Sequence, residues 1–194
     1  PDGQQVQGEE QIAVFAEGLD QPEDMSFDAQ GNLYITSEQR EGALYRITPG
    51  GIRSVIANNF TEPDGVSLDE AGNVYISEER DGGNIFRVSP EGYRTVVVSN
   101  RRNPDGLAFD ASGALHFTQD RAQGQILKLG PEGPELVADQ LSFPENIAFD
   151  EAGNLYVTET GKHRLVRIRP DGQVQPLTFA HQLREPEGVV YSAR

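Results

Sequence analysis

A proline followed by an acidic residue recurs at nearly constant spacing, and this repeat restricts the possible folds more than any other feature of the chain. Successive members of the column are separated by 41, 41, 40 and 42 residues. The column consists of Pro22, Pro63, Pro104, Pro144 and Pro186. A fixed period of this length is the signature of a protein built from adjacent copies of one supersecondary unit. The sequence therefore predicts a repeat architecture.

Each of the first four repeats has the same internal order of strands and turns. An alternating apolar stretch leads from the proline to an Asp, a turn containing Gly follows, and a second alternating stretch comes next, for example LYITS at 33–37 and VYISE at 74–78. Such alternation, rich in β-branched and aromatic residues, is typical of β-strands. Two further strands complete each unit, which predicts an all-β fold of four-stranded antiparallel propeller blades. A β-sandwich is the alternative, but sandwiches do not repeat their turns in fixed register.

The number of blades stays open, because four repeats are complete and a fifth only begins. The alternatives are a five-bladed ring with a thin last blade, a degenerate six-bladed ring, and an open arc completed by another chain. Propellers commonly close by pairing terminal strands, which removes exposed edges. We expect residues 11–18 to form a strand that joins the C-terminal one. Residues 1–10 are expected to be a tail, and residues 11–194 a single propeller domain with repeats starting near 22, 63, 104, 144 and 186.

The composition favours some classes of partner and disfavours others. The 31 acidic and 16 basic residues give a net charge of −15, which disfavours nucleic acid and favours cations. No apolar run is long enough to span a membrane, and no cysteine is present for disulfides or thiolate metal sites. The chain begins at Pro1 without a signal peptide, as a processed product would. We therefore expect an extracytoplasmic protein, either periplasmic or secreted.

Acidic residues follow all five prolines of the repeat, and these are the candidate functional side chains. The inner strand of each blade lies nearest the propeller axis, so the residues at its start are expected around the mouth of the central channel. Carboxylates gathered there repel one another unless a cation or hydrogen-bond donors compensate them. Oxygen ligands favour a hard cation such as Ca²⁺. The predicted metal ligands are Glu23, Asp64, Asp105, Glu145, Asn146 and Glu187. Alternatively, each acid accepts backbone N–H groups in the turn that opens its blade.

Other polar columns have simpler interpretations. A second acidic set follows the second strands and is interpreted mainly as ordinary loop surface; it comprises Glu38, Glu78, Glu79, Asp120 and Glu159. The Asp column before each Gly turn is expected to accept backbone hydrogen bonds; it comprises Asp28, Asp69, Asp110 and Asp150. His116 replaces a tyrosine of the other repeats, so we expect it to fill a packing position.

The repeat also carries a family resemblance. The pattern P-D-G-[VL]-[SA]-[FL]-D-x-x-G-N-[LV]-Y-[IV]-[ST]-E resembles NHL-repeat propellers and the related SMP-30/gluconolactonase/LRE group, from about Pro22 onward. In the gluconolactonase group, the Asp of P-D-G is a metal ligand and is thought to be the general base of lactone hydrolysis. The resemblance assigns those roles to Asp64 and Asp105. The group's ligand Asn does not match, because Asn146 lies one residue later.

These observations favour one function and leave a second open. The first is a protein- or ligand-binding or assembly module that presents one propeller face to a protein partner or small molecule, with Ca²⁺ on the central axis and no organic cofactor. The second is a metal-dependent lactonase in which Asp105 or Asp64 is the catalytic base. The absence of the matching Asn favours the binding module, whereas five acids in register favour the hydrolase.

Overall fold

The computed structural model describes residues 14–38, 41–177 and 183–191, and in these ranges the chain is built from four antiparallel sheets. Each sheet has four strands in chain order. The first is β1 (Pro22–Phe27), β2 (Leu33–Ser37), β3 (Ala43–Ile47) and β4 (Arg53–Asn58). The second is β5 (Pro63–Leu68), β6 (Val74–Glu78), β7 (Asp81–Val88) and β8 (Arg94–Arg102). The third is β9 (Pro104–Phe109), β10 (Leu115–Gln119), β11 (Gly124–Gly130) and β12 (Gly133–Leu141). The fourth is β13 (Pro144–Phe149), β14 (Leu155–Glu159), β15 (Arg164–Ile168) and β16 (Val174–Pro176).

The four sheets are the blades of a propeller, which confirms the predicted fold class. The first strands of successive blades contact one another, β1 with β5, β5 with β9 and β9 with β13. Separate apolar clusters fill the spaces between neighbouring blades; one joins Leu44 of the first blade to Ile76 of the second. Another joins Ile85 of the second blade to Phe117 of the third. The hydrophobic core is thus a series of layers between blades, and the inner strands surround a shared axis.

A buried hydroxyl at the same position of each second strand fastens every blade to the next repeat. Thr36, Ser77 and Thr118 donate to the backbone carbonyl oxygens of the acidic residues that open the next blade. The bond from Thr118 Oγ1 to Glu145 O is 2.8 Å long, and neither Thr36 nor Thr118 has solvent exposure. These bonds fix where the acidic residues stand around the axis.

The fifth repeat begins in the position of another inner strand. Thr158 Oγ1 donates to Glu187 O at 2.9 Å, which repeats the bond found at the three preceding junctions. The side chains of Val189 and Val190 line a small cavity with Tyr156 and Leu165 of the fourth blade. The start of the fifth repeat therefore lies against the fourth blade.

The predicted pairing of the two terminal segments is not seen in the parts that the structure describes. Residues 14–21 and 183–191 carry no strand, and Ala16 and Leu19 pack instead against the core of the first blade. The predicted tail at 1–10 and the start of the predicted strand at 11–13 lie outside the described residues.

The predicted role of the turn aspartates is confirmed. Asp28, Asp110 and Asp150 each accept backbone N–H groups two and four residues further along the chain. Asp69 accepts the N–H of Asn73, four residues further along. His116 is 5% exposed, as expected for a packing position. No helix in the described ranges is long and apolar enough to cross a membrane.

Candidate functional site

The five acidic residues that follow the prolines meet around one cavity at the axis. Its volume is about 390 Å³, and it opens at the end of the propeller where the inner strands begin. We call this cavity the acidic mouth. It is lined by Glu23, Asp24, Met25, Asp64, Glu79, Asp105, Glu145, Asn146, Glu187 and Gly188. The structure therefore brings all six predicted ligand residues together, and their role as ligands stays a prediction.

Close approach of neighbouring inner strands makes the mouth narrow. A Cβ atom at Gly65 would lie 2.4 Å from Asp105 O, and one at Gly106 would lie 2.3 Å from Glu145 O. Only glycine fits at these two positions, because a side chain there would collide with the backbone of the next blade. The glycine of the P-D-G motif thus allows the acidic residues of adjacent blades to crowd together.

Asp64 and Asp105 lie among the other carboxyl groups of the mouth. Burial, followed by the charges of Glu79, Asp24 and other acids, raises the pKa of Asp64 to about 8. Asp105 is only 7% exposed, and burial together with Asp64 and Glu79 raises its pKa well above the usual value. Within the described ranges, no lysine or arginine forms an ion pair with any acid of the mouth. The mouth therefore holds buried carboxyl groups that lack a compensating positive charge.

Two acids from the loops after the second strands extend this region outward. Burial, with the charges of Asp120 and Glu145, raises the pKa of Glu79 to about 7. Burial and Glu145 raise the pKa of Asp120 to about 6, although a hydrogen bond with Glu79 acts in the opposite direction. The Oδ1 atom of Asp120 is buried without a hydrogen-bond partner. Near neutral pH these two carboxyl groups are therefore partly protonated. A bound cation would displace those protons.

Asp24 and Asn146 close the floor of the mouth. Asp24 accepts backbone N–H groups from Met25 at 2.8 Å and Val66 at 2.9 Å, and Asn146 donates to it from the fourth blade. Both residues also line a second cavity of about 330 Å³ further along the axis. The pair thus separates two axial chambers, and Asn146 is engaged with Asp24 rather than free in the mouth.

Sequence reasoning missed Asp24, although a signal for it was present. The other members of its column are Gly65, Gly106, Asn146 and Gly188, so Asp24 is the one charged residue among them. The sequence-based prediction was also wrong for two members of the second acidic set. Glu78 is 3% exposed and Glu159 is fully buried, so the interpretation of these two as loop surface was wrong.

Both buried glutamates join neighbouring repeats. Glu78 Oε1 accepts the N–H of Thr61, and Glu159 Oε1 accepts the N–H of Ser142, each at 2.8 Å. Those N–H groups belong to the linkers that enter the same blades, so each carboxylate holds its linker against the second strand. Their burial follows from this contact, which the local sequence does not reveal.

The donor chemistry of the mouth suits a hard cation, but a finished coordination shell is not preformed. Carboxylate and amide oxygens are the ligands that Ca²⁺ uses, and Ca²⁺ completes its shell with water. In the part of the chain that the structure describes, no three Asp, Glu, His or Cys side chains converge on one point. A cation at this position would therefore bind with water molecules among its ligands, or after the carboxylates move inward.

Comparison with solved structures identifies other proteins that share this propeller fold. A streptogramin B lyase superposes with a TM-score of 0.69 at 18% identity, covering 90% of this chain and 60% of that one. Virginiamycin B lyase from Staphylococcus aureus superposes with a TM-score of 0.66 at 16% identity, covering 88% and 59%. A putative gluconolactonase superposes with a TM-score of 0.64 at 21% identity, covering 80% and 62%. The chain spans about three-fifths of the length of these structures.

Sequence comparison adds a local match. The profile of the family "Strictosidine synthase-like, N-terminal" matches residues 10–47, which include the first acidic residue of the mouth. Among curated proteins, none matches the sequence significantly. These likenesses show that the chain shares the β-propeller fold of the lyases and of the gluconolactonase-type protein.

Proposed function

We propose that the chain is a ligand-binding propeller module whose acidic mouth receives a divalent cation of the Ca²⁺ class. The observation that carries the proposal is Asp105, which is nearly inaccessible to water, adjoins Asp64 and Glu79, and has no cationic partner among the described residues. A buried carboxylate without such a partner is costly, and a bound cation would remove that cost. The same negative face would attract a positively charged ligand or a protein partner.

Calcium titration of metal-free protein, followed by calorimetry, tests the proposal. We expect saturable binding with a dissociation constant of about 10⁻⁴ to 10⁻³ M, because water must supply part of the shell. Because the raised pKa values keep Asp64 and Glu79 partly protonated at pH 6.5, Ca²⁺ binding is expected to release protons. Repeating the titration in buffers with different ionisation enthalpies measures that release.

Asp105→Asn is the decisive variant for calcium binding. It removes one negative charge from the mouth while keeping the side chain's size, so we expect at least about tenfold weaker binding. Asp81→Asn is the matched control, because the Asp81 side chain is 85% exposed and lies outside the mouth. The proposal fails if the wild type shows no saturable binding, or if both variants bind equally.

Metal-dependent lactone hydrolysis is a second candidate, favoured by the pKa of Asp64. A carboxyl group that titrates near pH 8 can take a proton from water as the water attacks a substrate carbonyl. A bound divalent cation would supply polarisation of that carbonyl. The structural likeness to a putative gluconolactonase supports the fold of this candidate alone.

Lactonase and arylesterase assays distinguish the two candidates. The chelated protein is assayed before and after addition of Ca²⁺, Mn²⁺ or Zn²⁺, with Asp64→Ala and Asp105→Ala alongside the wild type. A hydrolase is expected to regain activity with metal and to lose about 10²-fold or more on substitution of its base. Activity that is absent throughout, or independent of metal, rejects metal-dependent hydrolysis at the acidic mouth.

A further inference from the structure

Another cavity lies between the third and fourth blades, away from the acidic mouth and the second axial chamber. Its volume is about 560 Å³, larger than that of the mouth. Its apolar wall consists of Val137, Phe149, Leu155 and Ile168, and the turn at 170–172 borders it. We call this cavity the interblade groove. A mostly apolar cavity of this size that also contains a few polar groups is the usual form of a small-molecule site.

On one wall of this groove, the third blade has different residues from the other repeats. In the second and fourth blades, a tyrosine hydroxyl and an asparagine amide both bond to the turn aspartate; in the fourth these are Tyr156 and Asn154 on Asp150. The third blade has His116 and Ala114 at the same two positions. Both replacements are smaller, and both lie beside Asp110. The space that the other repeats fill with polar side chains is therefore partly open here.

The turn between the third and fourth strands of the fourth blade also lies away from the third blade. At the junction between the first and second blades, a Cβ atom on Gly92 would lie 3.0 Å from the backbone oxygen of Ile56. At the equivalent Gly172, which faces the third blade, a Cβ atom would have no atom of another residue within 4 Å, apart from its chain neighbours. Gly133 at the second junction is equally open, so the combination of an open turn with the smaller side chains distinguishes the third junction.

The polar groups of the groove have a definite charge and hydrogen-bonding character. Lys128 Nζ lies 2.9 Å from Asp110 Oδ2, so these two charges compensate each other. His116 Nδ1 lies 3.2 Å from Ala114 O and must donate to it, which makes Nε2 of the neutral ring an acceptor. The Arg169 guanidinium at the rim donates a hydrogen bond to the neutral Gln175 side chain. Arg169 is thus the one charged side chain of the cavity lining that forms no ion pair among the described residues, although Asp171 lies in the adjoining turn.

We infer that the interblade groove binds a small molecule with an aromatic or branched apolar body and a single negative charge. The apolar body lies against Phe149 and Val137, and the anionic group lies toward Arg169. His116 Nε2 accepts a hydrogen bond from a hydroxyl or N–H group of the same molecule. This site is independent of the acidic mouth, whose negative charge repels such a ligand.

Fluorescence titration with 8-anilinonaphthalene-1-sulfonate, an aromatic anion, tests the inference on the wild-type chain. We expect saturable binding at one site per chain. The variant Ala114→Asn/His116→Tyr restores the residues of the other repeats and fills the groove, so we expect at least about tenfold weaker binding with unchanged cooperative unfolding. Saturable binding that the double variant leaves intact overturns the inference, as does the lack of saturable binding in the wild type.

A charge reversal at the rim provides an independent measurement, because it leaves the apolar wall of the groove unchanged. Arg169→Glu is expected to weaken binding about fivefold, as for reversal of one exposed charge near the anion. Arg184→Glu makes the same change in net charge at an exposed residue outside the groove, and its affinity should equal that of the wild type. Equal weakening by both variants shows attraction by overall charge alone and contradicts the assignment.

Discussion

Glu159→Ala is expected to lower the free energy of unfolding by about 3 kcal/mol, because it removes a fully buried carboxylate and leaves its hydrogen-bond partners without an acceptor. Glu159 accepts the N–H of Ser142 and bonds to Lys162 and Arg164. Burial acts to raise the pKa of Glu159, but these hydrogen bonds outweigh it and the pKa is lowered. At about 2–4 °C per kcal/mol, the melting temperature should fall by roughly 6–12 °C, which thermal unfolding measures.

Glu159→Gln is the matched variant for this prediction. Gln119 occupies the same column in the third blade, where its Nε2 donates to Arg102 O. Glutamine at 159 keeps an acceptor for the Ser142 N–H but loses the charge that holds the two cations. We therefore expect it to cost less than half as much as alanine. If alanine costs no more than glutamine, the proposed role of Glu159 as a link between linker and blade is wrong.

The metal-free protein is expected to be more stable at pH 5.5 than at pH 8.5. The pKa of Asp64 is about 8 and that of Glu79 about 7 in the folded chain, whereas unfolded carboxyl groups titrate near 4. Between those values the folded state binds more protons than the unfolded state, so stability falls as the pH rises. Glu159, whose pKa is lowered, stays ionised throughout this window. We expect the melting temperature to fall by roughly 5 °C.

Asp64→Asn identifies the source of this pH dependence. Removing the charge should raise the melting temperature at pH 8.5 by a few degrees and flatten the pH profile, since about 1–2 kcal/mol of repulsion is relieved. The exposed Asp81→Asn is expected to leave the profile unchanged. Saturating Ca²⁺ should flatten the wild-type profile in the same way. A wild-type profile that rises with pH contradicts the proposed crowding of carboxylates.

Much of the architecture could be predicted because the information is local. Alternation in stretches such as 33–37 and 74–78 sets the strands, and the Asp column sets the turns that join them. The constant period then places the same position of each repeat at the same distance from the axis. For that reason the meeting of Asp64, Asp105 and their counterparts could be expected before any contact was known.

What the sequence alone determined is therefore the blade and the ring of acids, since both follow from a repeated local pattern. Tertiary structure decided which polar side chains are buried: Glu159 against a linker, and Asp24 opposite Asn146. It also decided that the wall around His116 faces an open groove. These outcomes depend on how neighbouring blades pack, and the residues that meet there are separated along the chain by a turn, a linker or several whole repeats.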